Sequence, residues 1–224
     1  MTTTPLPPRR EGIRPPRFSD QFAMLDFEAE PMPVISLFNP PRGLALEEAR
    51  IDLRGDDLRH VSMSWYDLYE LPLHEQTLPF VCQIFNWHEV ITWQGVRLSD
   101  VLAHTGITVP ETGYLAFRSR DGHYFETLSR DEAMDPRVLV VVGMNGGFLP
   151  KEHGGPVRLV VPFLQGYKSV KWLTGIQSFR KDPAGIKRLL GQSKTARLGS
   201  AWTERLGIEP AEGRPGDPDP GEGG

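Results

Sequence analysis

The stretch "MNGGFLPKEHGGPVRLVVPFLQGYKSVKW", residues 144–172, carries the densest pattern in the chain. It holds two glycine pairs, an apolar run bracketed by prolines at 156–162, and a Gly-Tyr-Lys-Ser turn. Glycine lets the backbone approach a bulky neighbour closely, and we expect this at Gly154 and Gly155. The β-branched run is of strand length. The stretch therefore predicts a short core strand flanked by tight turns.

Charged residues interrupt this apolar stretch. Arg158 lies inside the predicted strand, and a buried arginine needs an anion. Lys168, Ser169 and Lys171 surround the turn, whose backbone N–H groups are suited to a phosphate. The alternative is a hairpin with exposed charges and one structural ion pair. The spacing alone leaves both interpretations open.

The rest of the chain alternates short strands with short helices. Because no regular long helices separate the strands, the pattern predicts a β-rich α+β fold and not a doubly wound sheet. Ser64, Ser99 and Ser129 are the predicted helix caps, and Ser129 starts a Ser-x-x-Glu capping box. The main predicted strands are 49–55, 114–119, 137–143, 156–162 and 169–179.

Composition excludes several classes of protein. A net charge of −4 argues against nucleic-acid binding. No apolar run reaches the ~18 residues of a membrane span. A single cysteine fits a reducing compartment, so we expect a cytoplasmic protein. Arg9-Arg10 lacks the apolar segment that an export signal requires after its charges.

Both ends of the chain are poor in core-forming residues. Residues 1–21 are rich in proline and arginine, and residues 206–224 are rich in glycine, proline and acidic side chains. Such segments bury too little apolar surface to offset the entropy of ordering. We therefore expect one domain over 22–205 between two disordered tails.

The only cysteine lies in "LPFVCQIFNWHEV", residues 78–90. A lone thiol in an apolar segment is usually a small buried hydrophobe. The other interpretation is that the Cys82 sulfur takes part in chemistry. The local stretch does not decide between the two.

Three segments together resemble one family. The 144–172 stretch, "VCQIFNWHEVITWQGVRLSDVL" (81–102) and "YLAFRSRDGHYFETLSRDEAMDP" (114–136) resemble the oxidoreductase molybdopterin-binding domain. This is the catalytic domain of sulfite oxidases, plant-type nitrate reductases and bacterial methionine-sulfoxide reductase catalytic subunits. The resemblance covers about 45–180 and implies the fold of the sulfite-oxidase-type catalytic domain, with mixed sheets and short helices.

The resemblance assigns roles to particular residues. Cys82 occupies the place of the one protein ligand to molybdenum, and a soft thiolate suits a redox metal. His153 stands where a residue lies against the pterin, Arg158 where an arginine meets the cofactor phosphate, and 169–171 where the phosphate end is held. The implied molybdopterin-binding residues are Ser119, His153, Arg158, Ser169, Val170 and Lys171.

The chain also departs from the family pattern. Sulfite oxidases carry arginines just after the ligand cysteine, whereas residues 83–87 here are Gln-Ile-Phe-Asn-Trp, which puts sulfite in doubt. No haem motif or flavin domain is apparent. We therefore expect a small-molecule substrate and a separate electron-transfer partner.

Other polar residues permit two interpretations each. His88 and Glu89 either move protons near the metal or are structural. Arg118, Arg120 and His123 either line an anionic substrate pocket or surround a solvated turn.

Two other functions compete with a molybdenum oxidoreductase. One is a cysteine-nucleophile enzyme in which His88 or His153 activates Cys82. It leaves the Gly-Gly-Pro-x-Arg and Gly-Tyr-Lys-Ser segments unexplained. The other is a degenerate scaffold that keeps the cofactor site and has lost turnover.

The tails are predicted to be dispensable. Limited proteolysis should trim the protein to about residues 20 and 205 with the cofactor retained, because unpacked segments are cleaved first. Mass spectrometry and molybdenum analysis of the trimmed protein check this. Loss of cofactor on trimming either end would contradict the prediction.

Overall fold

The computed structural model describes residues 37–38, 41–82, 87–193 and 195–210. The predicted tail at 1–21, residues 22–36 and the segment 211–224 lie outside the described residues. Ile208 is buried against the main core, so packing continues beyond the predicted domain boundary at 205. No helix in the described part of the chain is long and apolar enough to cross a membrane.

Ten strands and five short α-helices make up the described fold. The strands are β1 (Arg50–Arg54), β2 (His60–Ser64), β3 (His74–Cys82), β4 (Trp87–Arg97), β5 (Tyr114–Ser119), β6 (Phe125–Ser129), β7 (Leu139–Met144), β8 (Gly147–Phe148), β9 (Arg158–Val160) and β10 (Leu173–Phe179). The helices are α1 (Trp65–Tyr69), α2 (Leu98–Thr105), α3 (Arg130–Met134), α4 (Ile186–Leu189) and α5 (Ser200–Leu206).

The strands form two five-stranded sheets. The first has the order β2-β1-β10-β5-β6, and the second has the order β3-β4-β7-β8 with β9 also paired to β7. β1 and β10 pair in parallel, whereas the other strand pairs run antiparallel. The prediction of a β-rich α+β fold without a doubly wound sheet is confirmed.

Two of the predicted helix caps are present. The Ser64 hydroxyl accepts from the Asp67 N–H at the start of α1. The Ser129 hydroxyl likewise accepts from the Glu132 N–H at the start of α3. In both cases the acidic side chain accepts from the cap's own N–H, which completes a capping box. The N-termini of these short helices are therefore fixed by the capping serine just before each helix and an acidic side chain in its first turn.

The predicted cap at Ser99 is wrong. α2 begins at Leu98, so its capping position is Arg97, two residues before Ser99, and Arg97 makes no side-chain capping bond. Strand β4 runs directly into this helix, so the chain has no room for a separate capping residue. Gly106 ends α2 in the left-handed conformation with φ +65°, which glycine adopts without strain.

The last two predicted strands are shorter than the apolar runs that suggested them. Of 156–162 only Arg158–Val160 is paired as β9, and of 169–179 only Leu173–Phe179 is β10. Trp172 has a positive φ of +52°, which separates the turn before it from the strand after it. Residues 161–172 therefore lie outside the strands, in the segment that connects β9 to β10.

The buried side chains fall into two clusters. The larger fills the space around both sheets. The smaller, which we call the aromatic cluster, lies on the β3–β4–β7 face. It comprises Phe80, Trp87, Ile91, Trp93, Leu139, Val141, Met144, Leu149 and Val160, with Cys82 partly buried against it.

Gly95 is predicted to tolerate no side chain. A Cβ at Gly95 would overlap the Val140 carbonyl oxygen and lie 2.7 Å from the Val141 Cα, where the β4–β7 register shifts. Gly95→Ala should lower the free energy of unfolding by about 1–3 kcal/mol in a denaturant titration, as overpacking does.

Gly175→Ala is the matched control. Gly175 also lies in a strand at a register shift, but the nearest atom to its Cβ would be the Arg118 Cβ at 3.6 Å. The free energy of unfolding of Gly175→Ala should differ from that of the wild type by less than about 0.5 kcal/mol. Equal losses in the two variants would contradict the steric explanation.

Candidate functional site

Cys82 is the last residue of β3 and is partly buried. It pairs across the sheet with Trp87, the first residue of β4, at the edge of the aromatic cluster. A turn at 166–168 lies against the preceding residue, since a Cβ on Gly166 would come within 2.9 Å of the Val81 carbonyl oxygen. Cys82 thus lies at a strand end, directly after a residue that this turn contacts.

Arg158 is buried at the start of β9. Its Nη1 donates to the His153 carbonyl at 2.9 Å and its Nη2 to the Ser169 carbonyl at 3.2 Å. The guanidinium also lies 5.2 Å from the Phe80 ring centroid and 5.0 Å from that of Trp93. Burial lowers the pKa of Arg158 to about 9.

The guanidinium therefore joins the segments on either side of β9. In the described part of the chain Arg158 forms no ion pair with a carboxylate, so protein carbonyls and aromatic faces compensate its charge only in part. The predicted need for an anion is consistent with this arrangement.

His153 is fully buried, and neither ring nitrogen has a hydrogen-bond partner among the residues that the structure describes. Desolvation, followed by the positive charges of Lys171 and Arg158, lowers the pKa of His153 to about 3. The imidazole is therefore neutral at pH 7, with one donor and one acceptor unused. Such a group costs free energy unless a bound molecule satisfies it.

Lys171 lies beside these two residues. Its Nζ donates to the Glu152 carbonyl at 3.1 Å. Desolvation, then repulsion by Arg158, lowers the pKa of Lys171 to about 7, and a smaller attraction to Cys82 opposes that shift. Cys82, His153, Arg158 and Lys171 thus belong to one electrostatically coupled group.

The second glycine pair makes this grouping possible. A Cβ on Gly154, which has φ +101°, would lie 2.8 Å from the Lys171 Cβ. A Cβ on Gly155 would overlap the Leu149 carbonyl oxygen. The bulky neighbours that the sequence predicted are therefore parts of this chain. Gly154 brings the 151–155 and 169–172 segments together, and Gly155 packs against the chain just before it, at Leu149.

The remaining predicted cofactor residues lie in the same region. Ser119 ends β5, is buried, and pairs with Leu173, two residues after Lys171. The Ser169 hydroxyl accepts from the Val161 N–H at 2.9 Å. Val170 is buried in the larger cluster and its carbonyl accepts from Leu159 N–H at 2.8 Å.

Lys168 does not belong to the anion-binding group that the spacing suggested. Its ammonium lies 2.9 Å from Glu126 Oε2 in an ion pair that is almost fully buried. The structural ion pair of the alternative interpretation thus exists, but it is formed by Lys168 and not by Arg158.

The side chains of Arg118, Arg120 and His88 make their contacts outside the buried group, whereas the Arg120 N–H donates to the Trp172 carbonyl at 2.8 Å, next to Lys171. The Arg118 Nη2 donates to Gln177 Oε1 at 3.4 Å on the outside of the first sheet. The Arg120 side chain donates to the Arg42 carbonyl. The Asp121 carboxylate accepts from the His123 N–H at 2.9 Å in an exposed turn. The His88 ring contacts Trp202 of α5, with centroids 5.6 Å apart.

The sequence interpretation missed Tyr124 and Glu126. The Tyr124 hydroxyl donates to the Tyr167 carbonyl at 2.6 Å, and burial raises the pKa of Tyr124 well above its usual value. Glu126 is buried within β6. A charged residue inside an apolar run was the signal that identified Arg158, and Glu126 lacks it because Thr127 and Ser129 make the β6 sequence largely polar.

The described residues contain no cluster of three or more histidine, cysteine or acidic side chains that would hold a metal ion. A metal at Cys82 would therefore have to bring most of its ligands with it. The unsatisfied imidazole of His153 and the two cations beside it fit a polar, anionic group. The residues present thus fit a metal carried by an anionic organic cofactor.

Comparisons with known proteins agree with this chemistry. The profile of the family described as "Oxidoreductase molybdopterin binding domain" matches residues 39–186. The chain is 31% identical over 150 residues to the protein-methionine-sulfoxide reductase catalytic subunit MsrP of Campylobacter jejuni, covering 60% of this chain and 50% of that protein. It is 34% identical over 139 residues to mitochondrial sulfite oxidase of Rattus norvegicus, covering 50% of this chain and 26% of that protein.

A solved structure shares the fold. The sulfane dehydrogenase SoxCD from Paracoccus pantotrophus superposes with a TM-score of 0.58 at 24% identity, over 65% of this chain and 41% of the other. This chain spans half or less of the length of each of these relatives.

His153→Leu is predicted to stabilise the protein without cofactor and to weaken cofactor binding. Leucine removes two unsatisfied buried nitrogens, which should add about 1–3 kcal/mol to the free energy of unfolding of the apoprotein. Denaturant titration of protein made without cofactor measures the first effect, and molybdenum content of the loaded protein measures the second. A destabilised apoprotein would contradict the assignment.

The stability that His153→Leu adds to the apoprotein should increase as the pH falls. The His153 pKa is about 3 in the folded protein and about 6.5 in the unfolded chain, so between these values only the unfolded chain binds the proton. Wild-type stability from this group is present above pH ~6.5 and is lost toward pH 3. The wild-type-minus-variant difference isolates this effect from other titrating groups.

Proposed function

Because this chain belongs to the oxidoreductase molybdopterin-binding domain family, we propose that it is a molybdopterin-dependent oxidoreductase acting on a small substrate. Cys82 is the proposed protein ligand to molybdenum. The observation that carries the proposal is the buried His153 imidazole, unsatisfied within the described residues, with Arg158 bonded to the His153 carbonyl and Lys171 packed against Gly154. The family assignment covers most of the described chain.

The cations and the imidazole suit the pterin and its phosphate. Arg158 and Lys171 repel each other, and desolvation disfavours both charges. A bound phosphate would offset both costs, because an opposite charge favours the charged form of each group. We assign the phosphate end to Arg158, Ser169, Val170 and Lys171, and the pterin to Ser119 and His153.

The chain's other contribution is to shield and orient. When bound, molybdopterin supplies a metal that exchanges electrons, and an oxygen atom, with a substrate. The aromatic cluster forms an apolar wall beside Cys82 and limits the access of water. The Lys171 ammonium attracts the negative thiolate form of Cys82. A second redox centre is proposed to reside on a separate electron-transfer partner.

A cysteine-nucleophile enzyme is the less favoured alternative. His88 contacts Trp202, and its strand partner is Val81, so it lies on the opposite face of the hairpin from Cys82. His153, with its pKa near 3, is too weak a base to activate a thiol at pH 7. A degenerate scaffold differs from the proposed enzyme only in turnover, which a dye-coupled redox assay measures.

Cys82→Ser is predicted to retain molybdenum and lose turnover. Retention depends on many contacts along the pterin and phosphate, whereas one thiolate sets the electron density of the metal. The variant should have near-normal molybdenum content and should lack the visible absorption of sulfur-to-molybdenum charge transfer. Elemental analysis, the absorption spectrum and a dye-coupled assay measure these three properties.

Met144→Leu is the matched control. Met144 lies in the aromatic cluster, and leucine nearly conserves its volume, so content, spectrum and turnover should all persist. If Cys82→Ser keeps full activity and an unchanged spectrum, Cys82 is only a buried hydrophobe and the proposal fails.

Sulfite is predicted to be a poor substrate. A dianion entering an apolar pocket needs fixed positive charge. Arg158 and Lys171 are assigned to the cofactor phosphate, and the Arg118 and Arg120 side chains donate to Gln177 and to the Arg42 carbonyl. One relative is named for methionine sulfoxide, which is neutral, and we propose a neutral sulfoxide as the substrate class. Dye-coupled reduction of methionine sulfoxide should exceed sulfite oxidation. Efficient sulfite oxidation at micromolar concentration would overturn this preference.

A further inference from the structure

The buried ion pair between Glu126 and Lys168 has contacts beyond the pair itself. The two side chains are 1% and 5% exposed, and the charged atoms are 2.9 Å apart. The Lys168 Nζ also donates to the Thr127 carbonyl at 2.8 Å. The Glu126 Oε1 accepts from the Lys187 N–H at 2.8 Å. Each charge therefore has a second polar partner.

These contacts connect three separate segments of the chain. Glu126 lies in β6, Lys168 lies in the 166–168 turn, and Lys187 lies in the first turn of α4. Gly185, just before α4, allows the close approach, because a Cβ there would lie 2.6 Å from the Glu126 Cδ. The ion pair thus fixes where the turn stands relative to β6 and α4.

The same turn adjoins both ends of the proposed site. On one side Gly166 packs against the Val81 carbonyl, next to Cys82. On the other side Ser169, whose carbonyl accepts from Arg158, follows Lys168 directly. The residue just before β6 holds the turn at a second point, where the Tyr124 hydroxyl donates to the Tyr167 carbonyl. A displacement of the turn would change the spacing between the metal ligand and the phosphate-binding segment.

Stability alone does not explain a buried ion pair. Desolvating two charges offsets most of their attraction, and an apolar pair of similar volume often stabilises a core equally well. We propose that Glu126 and Lys168 are positioning residues that hold the 166–168 turn, and Ser169 after it, in the geometry needed to retain the cofactor. This inference rests on the proposed function, because it presumes that the cofactor binds beside the turn.

The double variant Glu126→Gln/Lys168→Met separates positioning from stability. Lys168→Met alone leaves an uncompensated buried carboxylate and should lower the melting temperature of the apoprotein. The double variant removes both charges and keeps an acceptor for the Lys187 N–H, so its melting temperature should recover. Cofactor retention after extensive dialysis should nonetheless stay roughly tenfold below wild type, as for other residues that orient a metal site indirectly.

Two controls accompany these variants. Lys168→Arg keeps the positive charge, so it should retain the cofactor as well as the wild type does. Ile51→Val, in the buried part of β1, should lower the melting temperature without changing retention. If the double variant does not fold, the single variant Glu126→Gln replaces it, because glutamine has the size of glutamate and lacks its charge. Cofactor retention by Glu126→Gln should fall several-fold below that of the wild type. Molybdenum and pterin are measured per mole of protein in every case.

The outcomes distinguish this inference from the proposed function. Wild-type retention in the double variant, or in Glu126→Gln if that is the variant used, would overturn the positioning role while the wild-type protein still carries molybdenum. Wild-type protein produced in a cofactor-making host and lacking molybdenum would overturn the proposed function, and the positioning role with it.

Discussion

The site depends on the hydrogen bonds and ring contacts of one buried group, the Arg158 guanidinium. It is anchored in β9 and donates to carbonyls of the segments on both sides of that strand, at His153 and Ser169. The aromatic faces of Phe80 and Trp93 connect it to the sheet that carries Cys82. One side chain thus links the strand that presents the thiol with both segments that would hold the cofactor.

The electrostatics of the group point in one direction. The pKa values of His153, Arg158 and Lys171 are all lowered, in each case mainly because burial removes the solvation of a positive charge. In the described residues no carboxylate forms an ion pair with Arg158, whose Nη1 donates to the His153 carbonyl, and the Lys171 ammonium donates to the Glu152 carbonyl. A protein that concentrates desolvated positive charge in this way is suited to a negatively charged partner. Molybdopterin, with its phosphate and thiolate sulfurs, is such a partner.

Much of this arrangement could be predicted from sequence because its signals are local. Glycine pairs, capping boxes and a charged residue inside an apolar strand each report their own surroundings. The pairing of Lys168 with Glu126 could not be predicted, because it depends on which strand lies beside the turn in three dimensions. The start of α2 was misplaced at Ser99 because β4 runs into the helix without an intervening loop. The roles proposed for Ser119 and His153 rest on the family resemblance and not on spacing.

X-ray absorption at the molybdenum edge tests the central claim most directly. The account predicts that the metal in the wild-type protein has one more sulfur neighbour than the metal in Cys82→Ser, since the protein contributes a single thiolate. The spectrum of Met144→Leu should match that of the wild type. An equal number of sulfur neighbours in wild type and Cys82→Ser would show that Cys82 does not bind the metal, and would contradict the account.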